Sequence, residues 1–259
     1  MGREIVMKIS GLSAIVTGGA SGLGGATAEW LAEQGAKVAI FDMNAEVGRA
    51  HAAKIGGAFF EVDVTDEAGV TAAVAAAEAA HGVARILVNC AGIAPPAKVI
   101  NRDGSVIALS AFAKIININL IGTFNVISQF VGRLHAAAPI GEERGVIINT
   151  ASVAAYDGQI GQPAYAASKA GIVGMTLPLA REFARYGIRV MTIAPGIFLT
   201  PLLASLPQDA QDSLGQQVPF PSRLGNPREY AELAGAIIQN AMLNGETIRL
   251  DGAIRMAPK

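Results

Sequence analysis

The chain has 259 residues, 51% hydrophobic and only 16% charged, which excludes a disordered protein and requires a large core. Lys plus Arg total 20 against 21 Asp plus Glu, so the net charge is −1 and recruitment of a nucleic acid by bulk charge is excluded. One cysteine, Cys90, allows no internal disulfide, which suits a reducing compartment and predicts a cytoplasmic protein.

The first ten residues carry neither an apolar signal core nor an Arg/Ser-rich amphipathic stretch, and Met7 is an equally good start. Short β-branched runs then alternate with longer Ala-rich stretches of helical period. Leu12–Val16, Lys37–Phe41, Ala58–Val62, Arg85–Cys90, Gly145–Thr150, Ile188–Ala194 and Thr247–Leu250 read as seven strands. They are nearly continuous in apolar residues, as a parallel sheet covered on both faces demands. After the first strand, Leu23, Ala26, Thr27, Trp30 and Leu31 form a helical stripe that Gly35 stops. The uncharged run Ile115–Gly132 is long enough to span a bilayer. It carries Asn117, Asn119, Asn125, Ser128 and Gln129, so it reads as a buried helix and no membrane is expected. The pattern predicts one doubly wound α/β domain of Rossmann type over residues 1–259, with helices on both faces of a seven-stranded parallel sheet.

Ligands of such a sheet sit outside the carboxyl ends of its strands. There the sequence places Thr17-Gly18-Gly19, Asp42, Asp63, Ala91-Gly92, Ser152 and Pro195-Gly196. The glycine-rich turn from Thr17 to Gly24 lets a pyrophosphate approach backbone N–H groups at a helix N-terminus. Asp42 ends the second strand, 18 positions after Gly24. A carboxylate there accepts hydrogen bonds from the adenosine ribose and repels a 2′-phosphate, so NAD is expected rather than NADP; its other reading is a cap for the next helix. Tyr165 and Lys169 lie at i,i+4 and so share a helix face. Bringing a tyrosine from about 10 to near 7 takes about 4 kcal/mol of favourable interaction, to be supplied by the ammonium and a cationic nicotinamide. Ser152, 13 residues before Tyr165, can hold a substrate carbonyl beside the phenol. His51, His81 and His135 lack metal-ligand spacing and read as surface or satisfied residues, so no metal is expected.

Together these residues resemble the short-chain dehydrogenase/reductase family in its NAD-dependent form. The glycine turn, Asp42, Asp63, Asn89 to Gly92, Asn119 to Gly122, Ser152, Tyr165 with Lys169, and Pro195-Gly196 match in order across nearly the whole chain. Cys90 departs from the second asparagine of many members, and Thr150-Ala151-Ser152 from a paired serine. The runs at 144–155, 171–178, 220–225 and 243–256 resemble a subgroup, the type-2 3-hydroxyacyl-CoA dehydrogenases, which also oxidise hydroxysteroids. The resemblance implies a catalytic set of Ser152, Tyr165, Lys169 and Asn119, with Asn119 holding a helix kink and a proton-relaying water. It implies NAD contacts from Gly18, Ser21, Gly22, Leu23, Asp42, Asp63, Val64, Cys90, Ala91, Gly92, Tyr165, Lys169, Pro195, Gly196, Phe198 and Thr200. It also implies a homotetramer in which the helices at 111–137 and 162–186 pair across a two-fold.

Substrate choice is expected in three segments, Pro95–Ser105, Ala155–Gln162 and Ile197–Pro221. The third reads as a lid or a long loop, and offers Ile197, Phe198, Leu199, Leu202, Leu203 and Leu206 as an apolar wall. Gln159 is either a hydrogen-bond partner for a thioester carbonyl or a solvated loop residue. Lys98 and Arg102 either meet coenzyme A phosphates or are simply solvated. An acyl-CoA or another hydrophobic hydroxy or keto compound is the expected substrate, with a 3-oxoacyl carrier-protein reductase, a hydroxysteroid dehydrogenase and a non-enzymatic dinucleotide sensor as alternatives.

Overall fold

All seven β-branched runs fold into one parallel sheet in the computed structural model, which describes residues 7–258 and, of Leu202, only the backbone. Residues 1–6, on which most of the N-terminal reading falls, and residue 259 lie outside the described residues. The strands are β1 (Ser13–Thr17), β2 (Lys37–Asp42), β3 (Ala58–Glu61), β4 (Ala84–Asn89), β5 (Gly145–Thr150), β6 (Ile188–Pro195) and β7 (Thr247–Leu250), in the order β3-β2-β1-β4-β5-β6-β7. The chain reverses direction across the sheet between β1 and β4, which opens a crevice at their carboxyl ends. Register aligns those ends: Thr17 pairs with both Phe41 and Asn89, Asn89 with Asn149, and Thr150 with Ile193.

The helices are α1 (Gly22–Glu33), α2 (Ala45–Ile55), α3 (Glu67–His81), α4 (Leu109–Ile116), α5 (Gly122–Leu134), α6 (Pro163–Phe183), α7 (Pro201–Ala204), α8 (Gln208–Gln216) and α9 (Pro227–Gln239). Alternate strand residues enter two separate cores. Val16, Ile40, Val88, Ile148 and Ile193 pack under α1 and α9, whereas Ile15, Phe41, Leu87, Ile147 and Val190 pack under α3, α5 and α6. Two buried faces explain why the strands read as unbroken apolar runs.

The helix expected over 111–137 is α4 and α5 joined by a π-helical turn at Asn117–Ile121, followed by helix only to Leu134. By length and composition Leu109–Leu134 could cross a membrane. Its inner face, Val126, Ile127, Phe130 and Leu134, is built instead into the core beneath the sheet. The helix expected over 162–186 is α6, tightening to a 3-10 turn at Ala184–Tyr186.

Candidate active site

The β1–α1 turn is shaped by close backbone approach. Gly18 has φ +62°, and a Cβ there would sit 2.8 Å from the Ala91 backbone nitrogen; a Cβ on Gly24 would run into the Gly18 carbonyl. Only glycines let the turn nest against Cys90–Ala91 at the end of β4. Asn44, Asp66 and Asn226 cap α2, α3 and α9 with their side chains, but Ser21, the N-cap of α1, makes no such bond. A pyrophosphate fits that helix end, which keeps its N-terminal donors unclaimed by a side chain. Thr200 and Pro201 lie over Gly22, within 4 Å of where its Cβ would be, so the start of the 197–221 segment covers the turn.

Asp42 ends β2 beside the turn. Its carboxylate accepts from Ala20 N at 3.1 Å and Asn44 N at 2.9 Å, an orientation fixed by backbone donors. The helix cap is Asn44, not Asp42, which removes the capping alternative. Asp63 follows β3 and accepts from the Thr65 backbone and hydroxyl, while Val64 is buried and would clash with a side chain at Gly122. Pro195 ends β6 and Gly196 follows it, packed against Asp251. The crevice therefore fits a dinucleotide: an open helix end, an oriented carboxylate and glycines where backbone must approach.

Further along, Ser152 follows β5 and Tyr165 with Lys169 projects from the first turns of α6. Lys169 is 5% exposed and donates to the Thr150 carbonyl at 2.8 Å. Its Nζ lies 5.8 Å from the Tyr165 ring centre. Burial pushes its pKa down to about 8. The expected lowering of Tyr165 is not found in the protein by itself. Burial raises the phenol, and the nearby Ser152 hydroxyl opposes that rise only in part. The neighbouring ammonium, still mostly charged at neutral pH, does not reverse that rise, so the remaining driving force has to arrive with the ligand.

Asn119 is fully buried in the π-helical turn. Its amide donates to Ile93 O at 2.9 Å and Ser168 Oγ at 3.0 Å, and its Oδ1 accepts from Ile93 N at 2.8 Å. The side chain thus ties the kinked helix to α6 and to the loop after β4, while Asn117 is exposed.

The side-chain contacts refine four sequence expectations. The Cys90 side chain turns away from the crevice toward Thr150 Oγ1 (3.4 Å) and Tyr230 Oη (3.8 Å), leaving only its backbone to face a ligand. Phe198 is 6% exposed, with its ring packed on Gly225, and drops out of the apolar wall. Leu199 is exposed, Ile197, Leu203 and Leu206 are half-buried, and the Leu202 side chain lies outside the described residues. The Gln159 amide donates to Ala257 O at 2.9 Å, so one of its two N–H groups is committed to the C-terminal tail. Among the histidines, His51 and His135 bond backbone carbonyls, but the buried Nε2 of His81 has no partner among the described residues. Lys98 and Arg102 are exposed on the loop after β4.

Comparison with known proteins decides the family. A family model described as short chain dehydrogenase matches residues 13–211. The chain belongs to the short chain dehydrogenase family. It is 56% identical over 255 residues to a human protein named 3-hydroxyacyl-CoA dehydrogenase type-2, covering 97% of this chain and 98% of the relative. A Drosophila melanogaster protein of the same name is 53% identical over 94% of this chain and 97% of the relative. The crystal structure of 3-hydroxyacyl-CoA dehydrogenase type-2 from Mycobacterium avium superposes with a TM-score of 0.92 at 44% identity, covering 96% and 98% of the two chains. As a short chain dehydrogenase, the protein is an oxidoreductase that works with a nicotinamide dinucleotide and a small-molecule substrate.

Two contacts of this dehydrogenase site escaped the sequence reading, the second made by a residue of the Asn89 to Gly92 match. Tyr230, buried on α9, bonds Thr150 Oγ1 at 2.7 Å beneath the Lys169 acceptor. Asn89 donates to Asn149 Oδ1 at 3.0 Å, bridging β4 and β5 at the crevice floor. The apolar spacing of α9 marks its buried face, but a tyrosine's partner across 80 residues leaves no local signal.

Proposed function

We propose that this dehydrogenase uses NAD to oxidise a 3-hydroxyacyl-CoA reversibly to the 3-oxoacyl-CoA. The observation that carries the chemistry is the buried Lys169, held by the Thr150 carbonyl on the same helix face as Tyr165, with Ser152 near the phenol. Tyr165 takes the hydroxyl proton as the carbinol hydrogen leaves as hydride. Ser152 orients the substrate oxygen, and the Lys169 donors left over from Thr150 hold the nicotinamide ribose. NAD supplies the hydride acceptor and the positive charge that draws the raised phenol toward phenolate. Asn119 fixes the kink that keeps α6 and the Ile93 loop in place. Asp42, oriented by Ala20 and Asn44, reads the ribose hydroxyls and excludes a 2′-phosphate.

For the substrate, support comes from the relatives named 3-hydroxyacyl-CoA dehydrogenase type-2 and from the partly exposed apolar side chains of 197–206. Lys98 and Arg102 offer cations to coenzyme A phosphates. Exposed Ile121, Phe124 and Leu177 on the π turn, α5 and α6 support pairing of these helices in a homotetramer. The single cysteine supports a cytoplasmic site of action. The test is NADH oxidation against acetoacetyl-CoA, 2-methylacetoacetyl-CoA, acetoacetyl carrier protein and a ketosteroid. Turnover of the coenzyme A esters is expected; turnover of another ketone with none of these esters would overturn the substrate.

A further inference from the structure

We propose that the C-terminal tail clamps the substrate side of the crevice, with Arg249 as the positioning residue. The inference rests on the reading that the 95–105 and 155–162 segments bank the substrate. The second of these joins Ser152 to Tyr165, and its outer side is occupied by the tail. From β7, Arg249 Nη2 bonds Asp157 Oδ2 at 2.5 Å and the Ile254 carbonyl at 3.0 Å, while its Nε bonds Asp251 Oδ2 at 2.7 Å. The guanidinium also lies 5.2 Å from the centre of the Tyr156 ring. The side chains of Arg249, Asp157 and Asp251 are only 22%, 18% and 8% exposed. A forked, partly desolvated network of this kind holds geometry better than an exposed pair.

The tail continues the grip beyond Arg249. Its carbonyls at Ala257 and Pro258 accept from Gln159 Nε2 (2.9 Å) and Ile160 N (3.0 Å). One residue later, Gly161 O accepts from Ala97 N at 2.8 Å, which anchors the loop bearing Lys98 and Arg102. Tail, 157–161 segment and 97–102 loop are therefore one connected set of polar contacts. None of these contacts touches Ser152, Tyr165, Lys169, the glycine turn or Asp42; Gly196 packs against Asp251 through its backbone without joining the polar network. The clamp is placed to govern how the acyl substrate is held, while hydride transfer and dinucleotide binding stay with other residues.

The experiment compares the wild type with Arg249→Met, Arg249→Lys and a chain shortened by residues 256–259. Steady-state kinetics use acetoacetyl-CoA and NADH, and hydrogen exchange is followed by peptide. The expected result is a ketone KM raised about tenfold in Arg249→Met and in the shortened chain, with kcat and the NADH KM within about twofold of wild type. Arg249→Lys should recover part of the loss. Exchange should quicken at 156–162 and 96–98 and stay unchanged across β1 and α1. An unchanged ketone KM, or an NADH KM that rises in step with it, overturns the clamp. If Arg249→Met does not fold, the shortened chain carries the same comparison. If the wild type ignores acetoacetyl-CoA, the substrate reading fails separately. The exchange pattern then decides the clamp: faster exchange confined to the two segments supports it, and unchanged exchange overturns it.

Discussion

Replacing Lys169 by methionine should inactivate the protein and stabilise it at once. The ammonium is buried, and burial lowers its pKa from 10.5 to about 8. That difference corresponds to about 3 kcal/mol by which folding disfavours the charged form at neutral pH. Methionine has similar length and no charge to desolvate. It leaves the Thr150 carbonyl without the Lys169 bond, at a cost of about 1–2 kcal/mol. The variant should therefore be about 1–2 kcal/mol more stable than wild type near pH 7. The sign of the pH dependence follows from the folded pKa lying below the unfolded one. Between about 8 and 10.5 the unfolded chain holds a proton that the folded chain has released, so wild-type stability rises with pH across that window. By about pH 10 the variant should have lost its advantage and fallen below wild type. Urea unfolding of both proteins at the two pH values measures this, with other titrating groups common to each. An identical stability difference at both pH values would refute a desolvated lysine.

Gly24→Ala should destabilise the protein by about 3 kcal/mol or more and weaken NADH binding, because the new Cβ meets the Gly18 carbonyl; thermal unfolding and fluorescence titration check it. Asp42→Ser should raise the NADH KM by roughly 10–100-fold and bring kcat/KM for NADPH level with NADH; retained NADH preference would clear Asp42 of reading the ribose. Arg189→Met breaks a buried pair with Glu143 and bonds to the carbonyls of Ile237, Ile238 and Leu243. It should cost about 3–5 kcal/mol in urea unfolding while the folded fraction keeps its KM values.

The strands were legible because both of their faces are buried. Ile147 and Ile148 enter opposite cores, so neither had to be polar and the run stood out. The strand ends were legible for the same reason, since small, glycine and acidic residues appear where the cover stops. Tyr165 and Lys169 needed only helical spacing. What could not be read is which way a strand-end side chain points: Cys90 and Phe198 depend on register and on packing against α9 and Gly225. The π turn at Asn117–Ile121 shifts hydrogen bonds without breaking the apolar pattern, so periodicity ran straight through it. Gln159 looked free because its partner lies 98 residues away. The rise that burial alone gives the phenol was not legible, because charge can be counted from the sequence and desolvation cannot.

The central claim, that Tyr165 moves the proton of an NAD-linked alcohol–ketone exchange, is tested most directly by Tyr165→Phe. The measurement is single-turnover oxidation of NADH by acetoacetyl-CoA, with NADH affinity determined in parallel for both proteins. The account predicts a rate lowered roughly 10²–10⁴-fold with NADH affinity essentially unchanged, since the phenylalanine keeps the ring and loses only the hydroxyl. A variant that keeps more than about a tenth of the wild-type rate would contradict it and assign the proton to another group.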